Sequence, residues 1–440
     1  MVEKPPKFDV MHGSKNYVVQ SPSLKRMLNS INEEYLYWDK VKYKDSKLPA
    51  TELWQLVKFS RLMKSSPLQF GKNQFHFVMT DYVQKMMHYF DMNVGGLLAS
   101  KSVVPEEDKT RYLVSSIMEE AISSSQIEGA NTTRKRAKEM LRKEIKPQTK
   151  SEIMIVNNYR SIKHITEHKT EELTAEKLLE IHSLIARDTF ENPSEVGQFR
   201  SDDQIFVVDH TKSEVVYTPP SHTLIAGLIN ELCNFFNQDD DEKFIHPLLK
   251  GIILHFMIGW IHPFADGNGR TARAIFYWYL LKRGYWLTEY LSISKIINDS
   301  KSQYERAFIY TENDENDLTY FITYNLRVME KAFIALKRYI GLKQKENLQV
   351  AQFVRLKNVN ERQAQLLKLV FDQAEIVFNI KEVENRFSVS NYTARMDLKG
   401  LVKLGFLEMV AVNKVKRNFI KSKQFDEMMK AMLNKDNVRM

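Results

Sequence analysis

A mainly α-helical chain, interrupted by one β-hairpin and closed by a smaller mixed block, is predicted by three features of the sequence. Apolar residues recur at helical spacing through long stretches such as YLVSSIMEEAISS and LLKGIILHFMIGWI. One internal stretch, GQFRSDDQIFVVDHTKSEVVYTPPS, carries β-branched and aromatic runs on either side of a turn. Residues 351–440 alternate helical patterns with a strand pair and hold 17 Lys and Arg against 10 Asp and Glu, most of the chain's net charge of +9.

A length of 440 residues leaves room for two to four domains with at least one sizeable core. No window reaches the roughly 18 uninterrupted apolar residues of a membrane span. GIILHFMIGWIHPF is too short and carries two histidines, so it reads as a buried helix, and no membrane partner is expected. The opening MVEKPPKFDV lacks a basic-then-apolar signal, so export is not expected either. The single Cys233 excludes an internal disulfide, fits a reducing cytoplasm and offers no thiol cluster for zinc.

In chain order, residues 1–105 read as an N-terminal helical region, with TELWQLVKFSRLMKSS and MTDYVQKMMHYFDM as helices joined by loops. Residues 106–340 carry longer helices and the chemical motifs. Within them QIFVV and EVVYT, separated by DHTKS and closed by Pro219-Pro220, read as a hairpin. An isolated hairpin is marginal in water, so it should lie against something. The charged, Gln-rich GLKQKENLQ reads as a linker at 341–350.

In 351–440, NERQAQLLKLVF and KEVENRF read as helices, SVS as a turn, NYTARMDLKGLVKLG as a third helix ending at Gly405, and FLEMVAVNKVKRNFIKS as a hairpin with a basic tip. That order resembles a winged helix-turn-helix. Asn391, Tyr392, Arg395 and Lys399 would then face a nucleic-acid groove, and Lys414, Lys416 and Arg417 would meet phosphates. Such modules also bind proteins, so DNA and protein both stand as partners of this block.

The chemistry concentrates in HPFADGNGRTAR, residues 262–273, which takes two of only 15 glycines in the chain. Pro263 cannot continue the apolar helix that runs into His262. ADGNG permits positive φ, so successive N–H groups can converge as an anion nest at the start of the helix RTARAIFYWYLL, whose dipole adds to the attraction. Arg270 and Arg273, three residues apart, reach over one face toward a polyphosphate. Asp266 beside a phosphate calls for a bridging Mg²⁺. His262 is the motif's proton acceptor near neutral pH, which implies a hydroxyl nucleophile. Phe264 reads as a core anchor for the turn. Each feature alone is ordinary; a purely structural loop has no need of all of them at fixed offsets.

HPFADGNGRTAR fills every fixed position of H-x-F-x-D/E-G-N-G-R-x-x-R, so the chain resembles the Fic family over roughly residues 106–340. The resemblance implies a Fic-type helical core with a β-hairpin flap. It also implies transfer of AMP from ATP to a Ser, Thr or Tyr hydroxyl of a protein, self-modification included, with His262 as general base and Asp266 holding Mg²⁺. Gly267, Asn268 and Gly269 would bind the α- and β-phosphates, and Arg270 and Arg273 the β- and γ-phosphates, with Thr271 and Ala272 in the same ATP-contacting stretch. Val207, Val208, Asp209 and His210 would form the flap that receives the target by strand addition. SQYERAFIY is similar to the family's adenine-pocket helix, with Tyr304 as the base contact.

Upstream, ISSSQIEGANTT places Ser124 and Glu128 on one helical face, with Gly129 suited to a helix end. In isolation Glu128 reads as a surface residue. SSQIEG is similar to the family's inhibitory motif S/T-x-x-x-E-G/N, which implies that Glu128 pairs with Arg273 and holds activity low, or alternatively that it assists removal of AMP. The target protein, the direction of the reaction and the oligomeric state, a homodimer among the alternatives, stay open at this level.

Overall fold

The structure is a computed structural model, and it describes residues 2–17, 21–95, 109–209, 214–239, 243–354, 356, 358–373, 376–411 and 417–428. The chain divides into two compact units, Met1–Leu336 and Lys337–Met440.

The first unit opens with four helices, α1 (Val10–Tyr17), α2 (Pro22–Glu34), α3 (Trp38–Val41) and α4 (Ala50–Leu62). A hairpin follows, β1 (Ser65–Phe70) with β2 (Asn73–Val78), and then α5 (Asp81–Asn93). That hairpin corrects the all-helical expectation for residues 1–105. Gly71, at φ 59°, makes the tight turn, and the alternation in NQFHFV buries Phe75 and Phe77 while His76 stays half-exposed. The helix expected through TELWQLVKFSRLMKSS stops at Leu62, and its last serines open β1.

The core helices are α6 (Lys109–Ile127), α7 (Arg134–Arg142), α8 (Lys150–Glu167) and α9 (Ala175–Ala186), followed by the hairpin β3 (Val207–Asp209) and β4 (Glu214–Tyr217). Then come α10 (Ile225–Asn237), α11 (Pro247–Ile261), α12 (Asn268–Lys282), α13 (Ile293–Asp299), α14 (Lys301–Asn313) and α15 (Thr319–Val354). Every residue of α11 from Leu248 to Ile258 is buried, so it is the central helix rather than a surface one. Gly259 near its end lets the Phe308 ring of α14 approach so closely that a Cβ there would lie 2.8 Å from it.

No boundary separates residues 1–105 from the rest of this unit. Phe75 of β2 packs edge-on against Phe256 and Trp260 of α11, at ring-centroid distances of 6.2 and 5.3 Å. A buried polar cluster completes the join. The Arg61 guanidinium donates to Asn32 Oδ1 at 3.0 Å, to the Tyr320 hydroxyl at 2.6 Å and to the Leu36 carbonyl at 2.8 Å, and it lies over the Tyr35 ring. Tyr35 in turn donates to the buried Asp317 at 2.6 Å, and Lys58 pairs with Asp314 at 2.8 Å. The early helices supply cations, and the segment before α15 supplies anions.

Residues 341–350, expected as a linker, lie inside α15, and the boundary between the two units falls within that helix. Lys, Gln, Glu and Leu are all good helix formers, and one glycine at 341 does not outweigh them.

The second unit contains α16 (Glu361–Asp372), β5 (Phe378–Asn379), α17 (Ile380–Phe387), α18 (Asn391–Lys403), β6 (Leu407–Ala411) and β7 (Arg417–Lys421). The three strands form an antiparallel sheet in the order β5-β7-β6, with β5 an addition to the expected pattern. Leu366, Leu367, Phe378, Leu398, Leu401 and Phe419 are among its buried residues.

Arg61→Ala should destabilise the first unit by roughly 3–5 kcal/mol, because it strands the buried carboxylates it helps to neutralise. The check is a denaturant titration, and a change under about 1 kcal/mol would contradict this account of how the N-terminal helices are joined.

Candidate active site

The site begins where α11 stops. His262 caps the helix in the left-handed region, φ 50° and ψ 58°, with its N–H on the Ile258 carbonyl at 3.0 Å, and Pro263 prevents continuation. Phe264 is fully buried and stacks flat on the His182 ring, with centroids 3.7 Å apart. The Asn268 side chain closes the loop from the other end: its Oδ1 accepts the Phe264 N–H at 3.0 Å and its Nδ2 donates to the Phe264 carbonyl at 2.8 Å. Asn268 therefore offers a ligand only its backbone.

Two residues that sequence reasoning missed hold this loop from outside. His182 of α9 accepts the Gly197 N–H on Nδ1 at 3.1 Å, so its proton sits on Nε2, which donates to the Asp266 carbonyl at 3.0 Å. Burial pulls the His182 pKa down to about 4, which keeps that neutral tautomer in place. Arg200 donates from its backbone N–H to the Pro263 carbonyl and from Nε to the His262 carbonyl, both at 2.9 Å. Its remaining donors go to the Asp202 and Pro220 carbonyls and the Asp203 carboxylate, so one guanidinium ties both ends of the flap segment to the motif.

Gly267, at φ 80°, starts α12, and the Thr271 N–H is the first to find a carbonyl, that of Gly267. The N–H groups of Asn268, Gly269 and Arg270 thus stand at the helix start without a carbonyl in their own helix. The side chains of Thr271 and Ala272 are buried, so only their backbone is placed toward a ligand at this helix start. Asp266 keeps a side chain 60% exposed, 3.9 Å from Arg270. Arg270 is buried, with Nη1 on the Ile185 carbonyl at 3.2 Å and Nε without a partner.

Arg273 is 2% exposed and points at the end of α6. Its Nε donates to Ser124 Oγ, and its Nη2 to the Ser124 carbonyl and to Glu128 Oε1, all at 2.9 Å; Nη1 has no partner. Burial works against the Arg273 charge, but Glu128, Tyr304 and Glu120 outweigh it and hold the group protonated. Glu128 is the C-cap of α6 in a Schellman turn: Ala130 N–H bonds the Ser125 carbonyl, Gly129 N–H bonds the Gln126 carbonyl, and Gly129 adopts φ 93°. The turn delivers the carboxylate onto Gly269, where an added Cβ would lie 2.3 Å from Oε1. An anion therefore already sits against the α12 N-terminus and the buried arginine.

The His262 ring directs Nδ1 at the Gly259 carbonyl, 3.2 Å away, which leaves Nε2 as the acceptor. Burial lowers its pKa; the Gly259 bond and the carboxylates of Glu128 and Asp266 oppose that shift only in part. Tyr304 of α14 lies buried beside Arg273, but its hydroxyl is engaged with His255 Nε2 at 2.8 Å. β3 and β4 pair antiparallel with an irregularity between Val207 and Val208. Tyr217 pins this hairpin to the end of α11 by donating to the Trp260 carbonyl at 2.7 Å. The sheet has two strands, so each keeps one edge without a partner strand among the described residues. Of the flap residues, Val207, Val208 and Asp209 lie in β3, while His210 falls outside the described residues.

The candidate nucleic-acid contacts belong to the second unit. Asn391, Tyr392, Arg395 and Lys399 are exposed on α18, with Tyr392 at 73%, and Arg417 opens β7 half-buried. Lys414 and Lys416 fall outside the described residues. Among the described residues no three His, Cys, Asp or Glu side chains form a metal cluster by themselves, and no helix is long and apolar enough to cross a membrane. A Mg²⁺ held by one carboxylate and substrate phosphates needs no such cluster, and the exposed Asp266 beside the α12 N-terminus fits that arrangement.

Residues 172–280 match the family model described as Fic/DOC family. The protein adenylyltransferase Fic of Nematostella vectensis is 32% identical over 117 residues, which cover 27% of this chain and 25% of that protein. Its counterpart in Aedes aegypti is 31% identical over 118 residues, covering 27% and 21%. The chain thus spans about a quarter of the length of these curated relatives. Among solved structures, a Fic family protein from Desulfovibrio desulfuricans G20 aligns with a TM-score of 0.51 at 18% identity, over 79% of this chain and 98% of that one, and so shares its fold. The stretch that matches the Fic/DOC family model runs from just before α9 into α12 and includes the motif loop near its C-terminal end.

Proposed function

We propose that this chain is an autoinhibited protein adenylyltransferase that moves AMP from ATP to a Ser, Thr or Tyr hydroxyl of a protein, itself included. One observation carries the reading. The Glu128 carboxylate rests on Arg273 and against Gly269, so an anion occupies a place built from a buried guanidinium and free helix N–H groups. In the active form the ATP phosphates take that place: the Gly267–Gly269 backbone holds the inner phosphates, and Arg270 and Arg273 hold the outer ones. Asp266 would hold Mg²⁺, which when bound offsets phosphate charge. His262 Nε2 takes the proton of the target hydroxyl as that oxygen bonds to the α-phosphorus; the bond to the bridging oxygen breaks and pyrophosphate leaves.

The target segment would align along the free edge of the β3–β4 hairpin, and Tyr304 would border the adenine, its ring rather than its engaged hydroxyl making the contact. A cytoplasmic setting suits the single, buried, unpaired Cys233. For the second unit, a winged-helix reading is supported by the helix–strand–helix–helix–hairpin order and by the exposed Tyr392, Arg395 and Lys399, with DNA or a protein as the partner.

Glu128→Gly should raise incorporation of label from ATP marked in the α-phosphate by about 10- to 100-fold, the scale of a charge-assisted hydrogen bond. His262→Ala in that background should lower it by at least about 100-fold. Equal labelling by wild type and Glu128→Gly would contradict autoinhibition, and release of AMP from a labelled target by wild type alone would assign Glu128 to the reverse reaction. Because burial depresses the His262 pKa, the neutral base persists below pH 6.5. The rate of the Glu128→Gly variant should therefore fall with a midpoint below pH 6.5; a midpoint above 6.5 would contradict the assignment.

A further inference from the structure

The carbonyls at the end of α6 are not all satisfied by the turn that follows. The Schellman bonds use those of Ser125 and Gln126, and the Ile127 carbonyl, immediately before Glu128, accepts instead from Lys301 Nζ at 2.7 Å. Lys301 is the first residue of α14, the helix that carries Tyr304. A cation at that position is unfavourable for its own helix, whose N-terminus is the positive end of the dipole. It is favourable for the C-terminus of α6, whose last turn has no basic residue of its own. The electrostatics of Lys301 thus serve the neighbouring helix rather than the one it belongs to.

We propose that Lys301 is a positioning residue of the inhibitory switch: by holding the Ile127 carbonyl it fixes the turn that presents Glu128 to Arg273. The proposal rests on the adenylyltransferase reading above. It couples the adenine-side helix to the inhibitory helix through one hydrogen bond, so whatever moves the start of α14 also loosens Glu128.

The test measures incorporation of α-phosphate label by wild type, Lys301→Met, Lys301→Arg, Glu128→Gly and the Glu128→Gly/Lys301→Met double variant, together with amide hydrogen exchange at Gly129 and Ala130. Lys301→Met should label about three- to fivefold above wild type but below Glu128→Gly. Lys301→Arg should return to the wild-type level, and the double variant should match Glu128→Gly. Protection at Gly129 and Ala130 should fall in Lys301→Met and persist in Lys301→Arg. Wild-type labelling and unchanged protection in Lys301→Met, beside an active Glu128→Gly, would overturn the proposal. So would a double variant well below Glu128→Gly, which would assign Lys301 to nucleotide binding. Lost protection in Lys301→Met with a silent Glu128→Gly would keep the positioning contact and overturn the adenylyltransferase reading instead.

Discussion

The buried guanidinium of Arg273 is the constraint around which the first unit is organised. A cation at 2% exposure needs hydrogen-bond acceptors or an anion around it, and the fold supplies Ser124 and the Glu128 carboxylate. Much of the surrounding architecture follows from that need. α6 must end where it does, its last turn must close through Gly129, and Gly269 must lack a side chain for the carboxylate to reach α12. The same three conditions create a place that a phosphate would fit, so under the proposed function inhibition and substrate binding would be two uses of one electrostatic requirement.

The motif loop is held in place by contacts that need no catalytic role. Phe264 is clamped between His182 and Phe199, Asn268 closes the loop on itself, and Arg200 and His182 hold its carbonyls from outside. These contacts use buried, neutral or fully satisfied groups, and none of them calls on a bound anion. The groups not used to hold this frame, the exposed Asp266 carboxylate and His262 Nε2, are the ones to which the proposed function gives reactive roles.

The motif loop was legible in the sequence because its parts are contiguous: the proline stop, the glycines, the arginine pair and the histidine all lie within 262–273. Glu128 was legible only through family resemblance, since a glutamate near a helix end is ordinarily a surface residue. Arg200 and His182 were not legible at all. Nothing local marks an arginine whose role is to bond carbonyls of a distant loop, or a histidine whose role is to stack and donate. The β1–β2 hairpin was lost between strong helical patterns, because its alternation spans only NQFHFV. The supposed linker at 341–350 misled for the opposite reason: polar composition suggested a connector, while the same residues are good helix formers.

Placing Glu128 and Arg273 on one chain also determines how this restraint responds to its surroundings. The local concentration of carboxylate at the guanidinium is set by the length and stiffness of the connecting chain, so it is the same in dilute and crowded solution. Dilution therefore brings no relief. Under the proposed function, a competing nucleotide would meet an internal rival whose strength does not vary with protein level, and the threshold for activity would be set by the geometry of a single helix end.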